Sequence, residues 1–153
     1  MGTAANPVVE QPSSETTSEQ IEALLEAARY DDLDDVVSLA SSGVSLDSKD
    51  SLGRTALHMA AANGHLDVVE YLINRGVDLN AINEEKNTPL HWACLNGHIE
   101  VVKKLILAGA NVTELNSYER TPMDEAVSGG KMDVIDAINA AVAQLELTGI
   151  SVS

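Results

Sequence analysis

The sequence is poor in aromatic residues. Its 153 residues contain no phenylalanine, one tryptophan and three tyrosines. Aromatic side chains therefore cannot dominate the interior, and alanine, leucine, valine and isoleucine must fill it. A hydrophobic content of 44% is enough for one domain with a core of its own. This composition suits closely stacked helices better than a β-sandwich.

Cysteine and long hydrophobic runs are also scarce. Cys94 is the only cysteine, which excludes an intramolecular disulfide and fits a reducing compartment. We find neither an apolar run of the signal-sequence type nor a stretch near the roughly 20 apolar residues of a membrane span. We therefore expect no membrane association and a cytoplasmic location. For a chain of 16.2 kDa, diffusion into the nucleus is open as well.

Basic residues are few, and the charge is uneven. Nine Lys and Arg face 24 Asp and Glu, which gives a formal net charge of −15. Residues 1–50 carry eleven acidic against two basic residues, a net charge of −9, and residues 51–153 carry thirteen against seven, a net charge of −6. This balance disfavours nucleic acid and anionic membranes and favours a basic partner. The alternative, that acidity only keeps the protein soluble, stays open.

The chain repeats itself with a period of 33 residues, which predicts a repeat architecture. Recurring threonines, alanines and glycines mark the period: Thr55, Thr88 and Thr121; Ala60, Ala93 and Ala126; Gly64, Gly97 and Gly130. The same frame extends back over residues 24–43, so four units fit at constant length.

Each unit has the pattern of a helix pair. Thr88 is a good N-cap, and Pro89 at the first helical position costs no hydrogen bond. An apolar stripe then leads to Gly97, which ends the first helix. The second helix has apolar residues at helical spacing and stops at Gly109: Ile99, Val102, Leu105 and Ile106.

Two segments carry a family resemblance. Thr55-Ala56-Leu57-His58-Met59-Ala60-Ala61 and Thr88-Pro89-Leu90-His91-Trp92-Ala93-Cys94 resemble the ankyrin-repeat signature. The resemblance implies an all-α ankyrin-repeat solenoid of four 33-residue helix-turn-helix repeats, with the end repeats acting as caps. The repeats are expected at about 18–49, 50–82, 83–115 and 116–147, together forming a domain over 18–147. We predict a disordered tail over 1–17 and a frayed end over 148–153.

No catalytic, metal-binding or cofactor-binding constellation emerges. The histidines form the pairs His58/His65 and His91/His98, whose members are seven residues apart with a helix break between them. This spacing lacks the i, i+4 geometry of a zinc-binding helix. The resemblance instead places His58 and His91 in helix-start hydrogen bonds. Cys94 occupies the slot of Ala61 and is expected to be a buried, inert thiol. We therefore expect no enzyme, no metal and no cofactor.

Function must then reside on the surface. The resemblance implies that another protein docks on the concave face, built from loop tips and first helices. The candidate partner-binding residues on this face are Leu52, Met59, Asn63, Glu84, Glu85, Trp92, Leu95, Asn96 and Tyr118. Trp92 is the candidate anchor, because Trp and Tyr are enriched among binding hot spots. Alternatively, Trp92 packs between repeats with only its N–H at the rim.

A narrower resemblance concerns the central repeats. Residues 59–64 (Met-Ala-Ala-Ala-Asn-Gly) followed by residues 91–97 (His-Trp-Ala-Cys-Leu-Asn-Gly) resemble small ankyrin-repeat chaperones that escort a basic ribosomal protein of the small subunit. The acidity agrees with such a client. The alternative is a generic adaptor in signalling, transcription or protein degradation, since the scaffold does not dictate its partner. In either case we expect a monomer that binds protein and not nucleic acid.

Overall fold

The computed structural model describes residues 15–149. Within them the chain forms eight α-helices joined by turns and loops, and no strand. In chain order they are α1 (Ser18–Arg29), α2 (Leu33–Ser41), α3 (Ala56–Ala62), α4 (Leu66–Asn74), α5 (Pro89–Leu95), α6 (Ile99–Leu107), α7 (Pro122–Ser128) and α8 (Met132–Leu147). The predicted all-α class is confirmed. Most of the predicted N-terminal tail, residues 1–14, and the C-terminal residues 150–153 lie outside the described residues.

The helices stack in two layers. Consecutive helices pack as the pairs α1/α2, α3/α4, α5/α6 and α7/α8. Across the pairs, α1, α3, α5 and α7 form an inner layer, and α2, α4, α6 and α8 form an outer layer. Each pair buries its apolar face mainly against the neighbouring pairs, as expected of a solenoid.

Threonine N-caps define the starts of the inner helices. The hydroxyls of Thr17, Thr55, Thr88 and Thr121 each accept from the backbone N–H three residues on, and the side chain at that third position bonds back to the cap. This reciprocal capping box satisfies two donors that the first helical turn leaves unpaired. Thr17 lies five residues before the position that matches Thr55. Helix α1 is therefore twelve residues long where α3, α5 and α7 have seven.

Aliphatic side chains fill the space between the layers. The largest of the fully buried ones are Leu24, Leu57, Leu72, Leu90, Leu105 and Ile106. In the last repeat, Val142 stands where the preceding repeat has Gly109, so α8 does not stop there and runs for sixteen residues. Ala141 and Leu145, on its additional turns, are buried and extend the core at this end.

Candidate protein-binding face

Three hairpin loops, at residues 50–54, 83–87 and 116–120, separate the helix pairs. In each loop the first residue donates its backbone N–H to the carbonyl of the last, at 3.0 to 3.1 Å. The side-chain Oδ1 of that first residue accepts from the N–H groups two and four positions on, at 2.9 to 3.1 Å. The residues concerned are Asp50, Asn83 and Asn116. Sequence reasoning missed them, although their spacing of 33 residues was a visible signal.

Neighbouring hairpins are joined into a row. The N–H of Glu84 donates to the carbonyl of Leu52 at 3.0 Å, and the N–H of Ser117 donates to that of Glu85 at 2.8 Å. The Tyr118 hydroxyl also donates to Glu85 Oε2 at 3.3 Å. Leu52 is 46% exposed and Tyr118 61% exposed. Glu84 and Glu85 are exposed as well, and neither forms an ion pair with a residue in 15–149.

We define the inner face as this row of hairpins together with the outward surface of α1, α3, α5 and α7. Met59 on α3 is only 5% exposed and contributes little surface. Trp92, at the matching position of α5, is half-buried and meets the His58 ring edge-on, with ring centroids 5.3 Å apart. Leu95, one turn further on, is 37% exposed. The inner face therefore exposes more apolar surface on α5 than on α3.

The side-chain amides of two candidate residues close helix ends. Asn63 Nδ2 donates to the Met59 carbonyl at 2.8 Å, and Asn96 Nδ2 donates to the Trp92 carbonyl at 3.0 Å. Both side chains are exposed on the inner face. One side-chain N–H of each asparagine is thus engaged within its own helix.

A buried carboxylate braces the last hairpin. Glu125, which occupies the position of Trp92 in the next repeat, is only 7% exposed. Asn116 Nδ2 lies 2.6 Å from Glu125 Oε2 and 2.8 Å from Asn87 Oδ1, and the Arg120 guanidinium lies 3.6 Å from Glu125 Oε1. This network links two successive hairpins to α7. It fixes the backbone that presents Tyr118.

The four histidines connect repeats. Nε2 of His58 lies 2.8 Å from the Asn87 carbonyl, and Nε2 of His91 lies 2.9 Å from that of Arg120. The histidines at the turns behave similarly, since Nε2 of His98 lies 2.9 Å from the Ala62 carbonyl. Among residues 15–149, no group of three or more His, Cys, Asp or Glu side chains is placed to hold a metal ion.

Cys94 is buried under the last repeat. Its thiol is inaccessible, and burial raises its pKa to about 12, with the Glu125 carboxylate adding to the effect. The thiol is therefore protonated at neutral pH. Since the thiolate is the nucleophile, this site has no activated sulfur.

The stacked helix pairs with hairpin tips define a repeat solenoid, and comparison with protein families gives its name. The family model described as Ankyrin repeats (3 copies) matches residues 24–116, more than half of the chain. The chain belongs to the ankyrin-repeat family, and its repeats indicate a protein-interaction module. Helices α7 and α8 add a fourth pair beyond the matched range.

Comparison with curated proteins gave no match. Within residues 15–149, no helix combines the length and apolar character needed to cross a bilayer.

Proposed function

We propose that this chain is a non-enzymatic module that binds a basic protein on its inner face. The observation that carries the proposal is the combination on that face of exposed apolar side chains with carboxylates that have no cationic partner in the described residues. Leu52, Leu95 and Tyr118 supply the apolar surface, and Glu84 and Glu85 supply the charge. A partner with apolar anchors among lysines and arginines would complement both.

Two contributions to the binding free energy then act together. The negative charge of the whole chain attracts a basic partner from a distance and raises the association rate. The apolar side chains act only on contact, where their desolvation mainly slows dissociation. This division suits an escort chaperone, which must capture a basic client quickly and cover its surface.

In its specific form, the proposal is that the client is a newly made basic ribosomal protein, met in the cytoplasm and carried towards the nucleus. The sequence resemblance of the central repeats and the net charge of −15 support this form. A free ribosomal protein is highly basic and adheres to RNA unless its charge is covered. An acidic, protein-binding surface meets that need.

The test is a pull-down with the tagged chain at about 0.1 M and about 1 M salt, where the Debye length is about 10 Å and about 3 Å. Mass spectrometry should find a basic ribosomal protein as the main captured protein at low salt, and much less of it at high salt. If a kinase, a ligase or a channel is instead captured equally at both salt concentrations, the chain is an adaptor and the escort proposal fails.

A further inference from the structure

The inner face carries the same reactive dipeptide at two of its helix ends. Asn63-Gly64 and Asn96-Gly97 are the two Asn-Gly pairs of the sequence, and both are followed by histidine. The asparagines are the C-caps of α3 and α5, and both are exposed. Asparagine before glycine is the pair most prone to deamidation, because glycine has no side chain to hinder attack by its backbone nitrogen. Each helix end therefore holds the reactants of a modification.

The reaction needs only water. The glycine nitrogen gives its proton to solvent hydroxide and attacks the side-chain carbonyl carbon of the asparagine. A new C–N bond forms, the bond to the side-chain nitrogen breaks, and that nitrogen leaves as ammonia with a proton from water. The remaining five-membered succinimide is opened by a second water, at either carbonyl, to aspartate or isoaspartate. The net change consumes one water, releases one ammonia and turns a neutral amide into a carboxylate.

The folded turns oppose this reaction in the same way at both sites. Ring closure requires the asparagine Cβ to eclipse the glycine nitrogen about the Cα–C bond. With ψ at 3° in Asn63 and 0° in Asn96, the asparagine's own backbone nitrogen holds that position instead. The two glycine N–H groups also donate to the carbonyls three residues back, at 3.3 and 3.2 Å. The reaction must therefore wait until the turn opens locally.

The next repeat braces the turn at Asn63. Nε2 of His98 lies 2.9 Å from the Ala62 carbonyl and donates to it, because a carbonyl oxygen only accepts. The same ring covers Gly64, where an added Cβ would lie 2.6 Å from Nδ1. Opening of this turn breaks the hydrogen bond between the repeats, so the intact bond keeps the turn closed.

The turn at Asn96 lacks this brace. Lys131 stands at the position that matches His98, and its aliphatic part covers Gly97, where an added Cβ would lie 3.1 Å from Cδ. Leu95 supplies the carbonyl that matches that of Ala62. Within residues 15–149, the Lys131 ammonium forms no hydrogen bond with this carbonyl. The Asn96 turn therefore opens more readily than the Asn63 turn.

We infer that Asn96 is a site of spontaneous deamidation in the folded chain, that His98 protects Asn63, and that the modification loosens the end of α5. The new carboxylate lies at a helix C-terminus, where the helix dipole disfavours negative charge. The modification also removes the Nδ2–H group that binds the Trp92 carbonyl at 3.0 Å. Isoaspartate adds one carbon to the backbone between α5 and Gly97. The inference concerns the chain itself and is independent of which partner binds.

The test follows both asparagines in the full chain during incubation at pH 8. After proteolysis, mass spectrometry measures the fraction of each peptide in which the side-chain NH₂ has been exchanged for OH. Asn96 should convert about fivefold faster than Asn63, because one hydrogen bond shifts the opening equilibrium by about that factor. In denaturing urea the two rates should agree, since both sites have the sequence Asn-Gly-His. Equal rates in the folded chain would overturn the inference.

Reciprocal variants test the brace directly. His98 and Lys131 are both helix N-caps with similar backbone angles, φ −90° and ψ 84° against φ −95° and ψ 73°, so each position accepts the other side chain. Lys131→His should slow conversion of Asn96 about fivefold, and His98→Lys should accelerate conversion of Asn63 by about the same factor. Thermal melts report whether both variants fold. If His98→Lys does not fold, Lys131→His decides alone, and an unchanged Asn96 rate in it would overturn the inference.

The effect on α5 is measured on the modified chain itself. Anion exchange separates the deamidated chain, which carries one more negative charge, from the unmodified chain. Amide hydrogen exchange should then be faster in α5 of the deamidated chain and unchanged in α1 and α2, which lie away from the site. Equal exchange of α5 in the two forms would refute the loosening.

Discussion

The imidazole of His58 and the carbonyl of Asn87 join α3 to the hairpin before α5, at 2.8 Å and 29 residues apart in sequence. A carbonyl oxygen only accepts, so Nε2 carries the proton. On the other side of the ring, Nδ1 accepts from the Thr55 N–H at 3.2 Å. The bond accepted by Nδ1 requires the neutral ring, whereas the Nε2–H bond also exists in the imidazolium and favours it. Burial outweighs that bond and lowers the pKa of His58 to about 4. His91 repeats the arrangement, and burial lowers its pKa as well.

Stability should therefore decrease as the pH falls below 6.5. The unfolded chain takes up protons near pH 6.5, whereas folded His58 resists protonation until about pH 4. The stabilisation from neutral His58 is complete above pH 6.5, the pKa of the unfolded histidine. It is lost as the pH falls from 6.5 to about 4, at up to about 1.4 kcal/mol per pH unit. Urea unfolding at pH 7.5, 6.0 and 5.0 measures the slope. In His58→Gln the slope should be smaller by about one proton, and a flat profile in the unmodified chain would contradict the assignment.

Gly64 should tolerate alanine much less well than Gly76. Both have a positive φ, of 75° and 80°, but a Cβ on Gly64 would lie 2.6 Å from His98 Nδ1, whereas one on Gly76 meets nothing within 4 Å. Gly76→Ala measures the backbone strain alone, about 1 kcal/mol. Gly64→Ala adds the displacement of His98 and should cost about 3 kcal/mol in free energy of unfolding. Equal losses in the two variants would show that His98 moves aside freely.

Cys94 should be inert towards thiol reagents in the folded protein. Its thiol is buried and its pKa is raised to about 12, so labelling at pH 8 must await opening of the last repeat. The control is Cys94→Ala with Ser117→Cys, which moves the thiol to an exposed hairpin and should react within the mixing time. Labelling of the unmodified chain at the rate of this control would refute the buried assignment.

Trp92→Ala should weaken binding of the principal partner captured at low salt by about 2 kcal/mol, through faster dissociation. The reason is that a half-buried ring on the inner face loses its remaining exposure on contact. Thermal melting separates this effect from packing between repeats. A lower melting temperature with unchanged affinity would make Trp92 a packing residue.

Charge reversal on the hairpins should change the association rate, whereas Trp92→Ala should change the dissociation rate. Glu84→Lys with Glu85→Lys should slow association and flatten its salt dependence, because the inner face loses its local negative potential. The matched control reverses Asp133 and Asp136 on α8, with the same change in net charge away from the hairpins. Equal effects of both double variants would mean that only the total charge matters.

Local signals predicted much of this fold from the sequence. Thr55, Thr88 and Thr121 predicted the starts of α3, α5 and α7 because an N-cap is decided by a few neighbouring residues. The length of α8 has a local cause as well, because Val142 stands in place of a glycine and the helix runs past it. The period alone does not give the start of α1, since its cap, Thr17, lies outside the 33-residue frame.

The inner face was harder to predict from the sequence than the helices were. Met59 and Trp92 are equivalent in the repeat, yet one is buried and the other half-exposed, because the neighbouring repeat and the size of each side chain decide the outcome. The burial of Glu125 depends on Asn116, nine residues away. The partner-binding role of the nine candidate residues stays a prediction.

The links between repeats also determine how the chain can fold. The most distant hydrogen-bonded residues in 15–149, His65 with Arg29 and His98 with Ala62, are 36 residues apart. No long loop has to close before the first contacts form, so the entropic barrier is low and folding is expected to be fast. On a translating ribosome, α1 to α4 can assemble while α5 to α8 are still unmade.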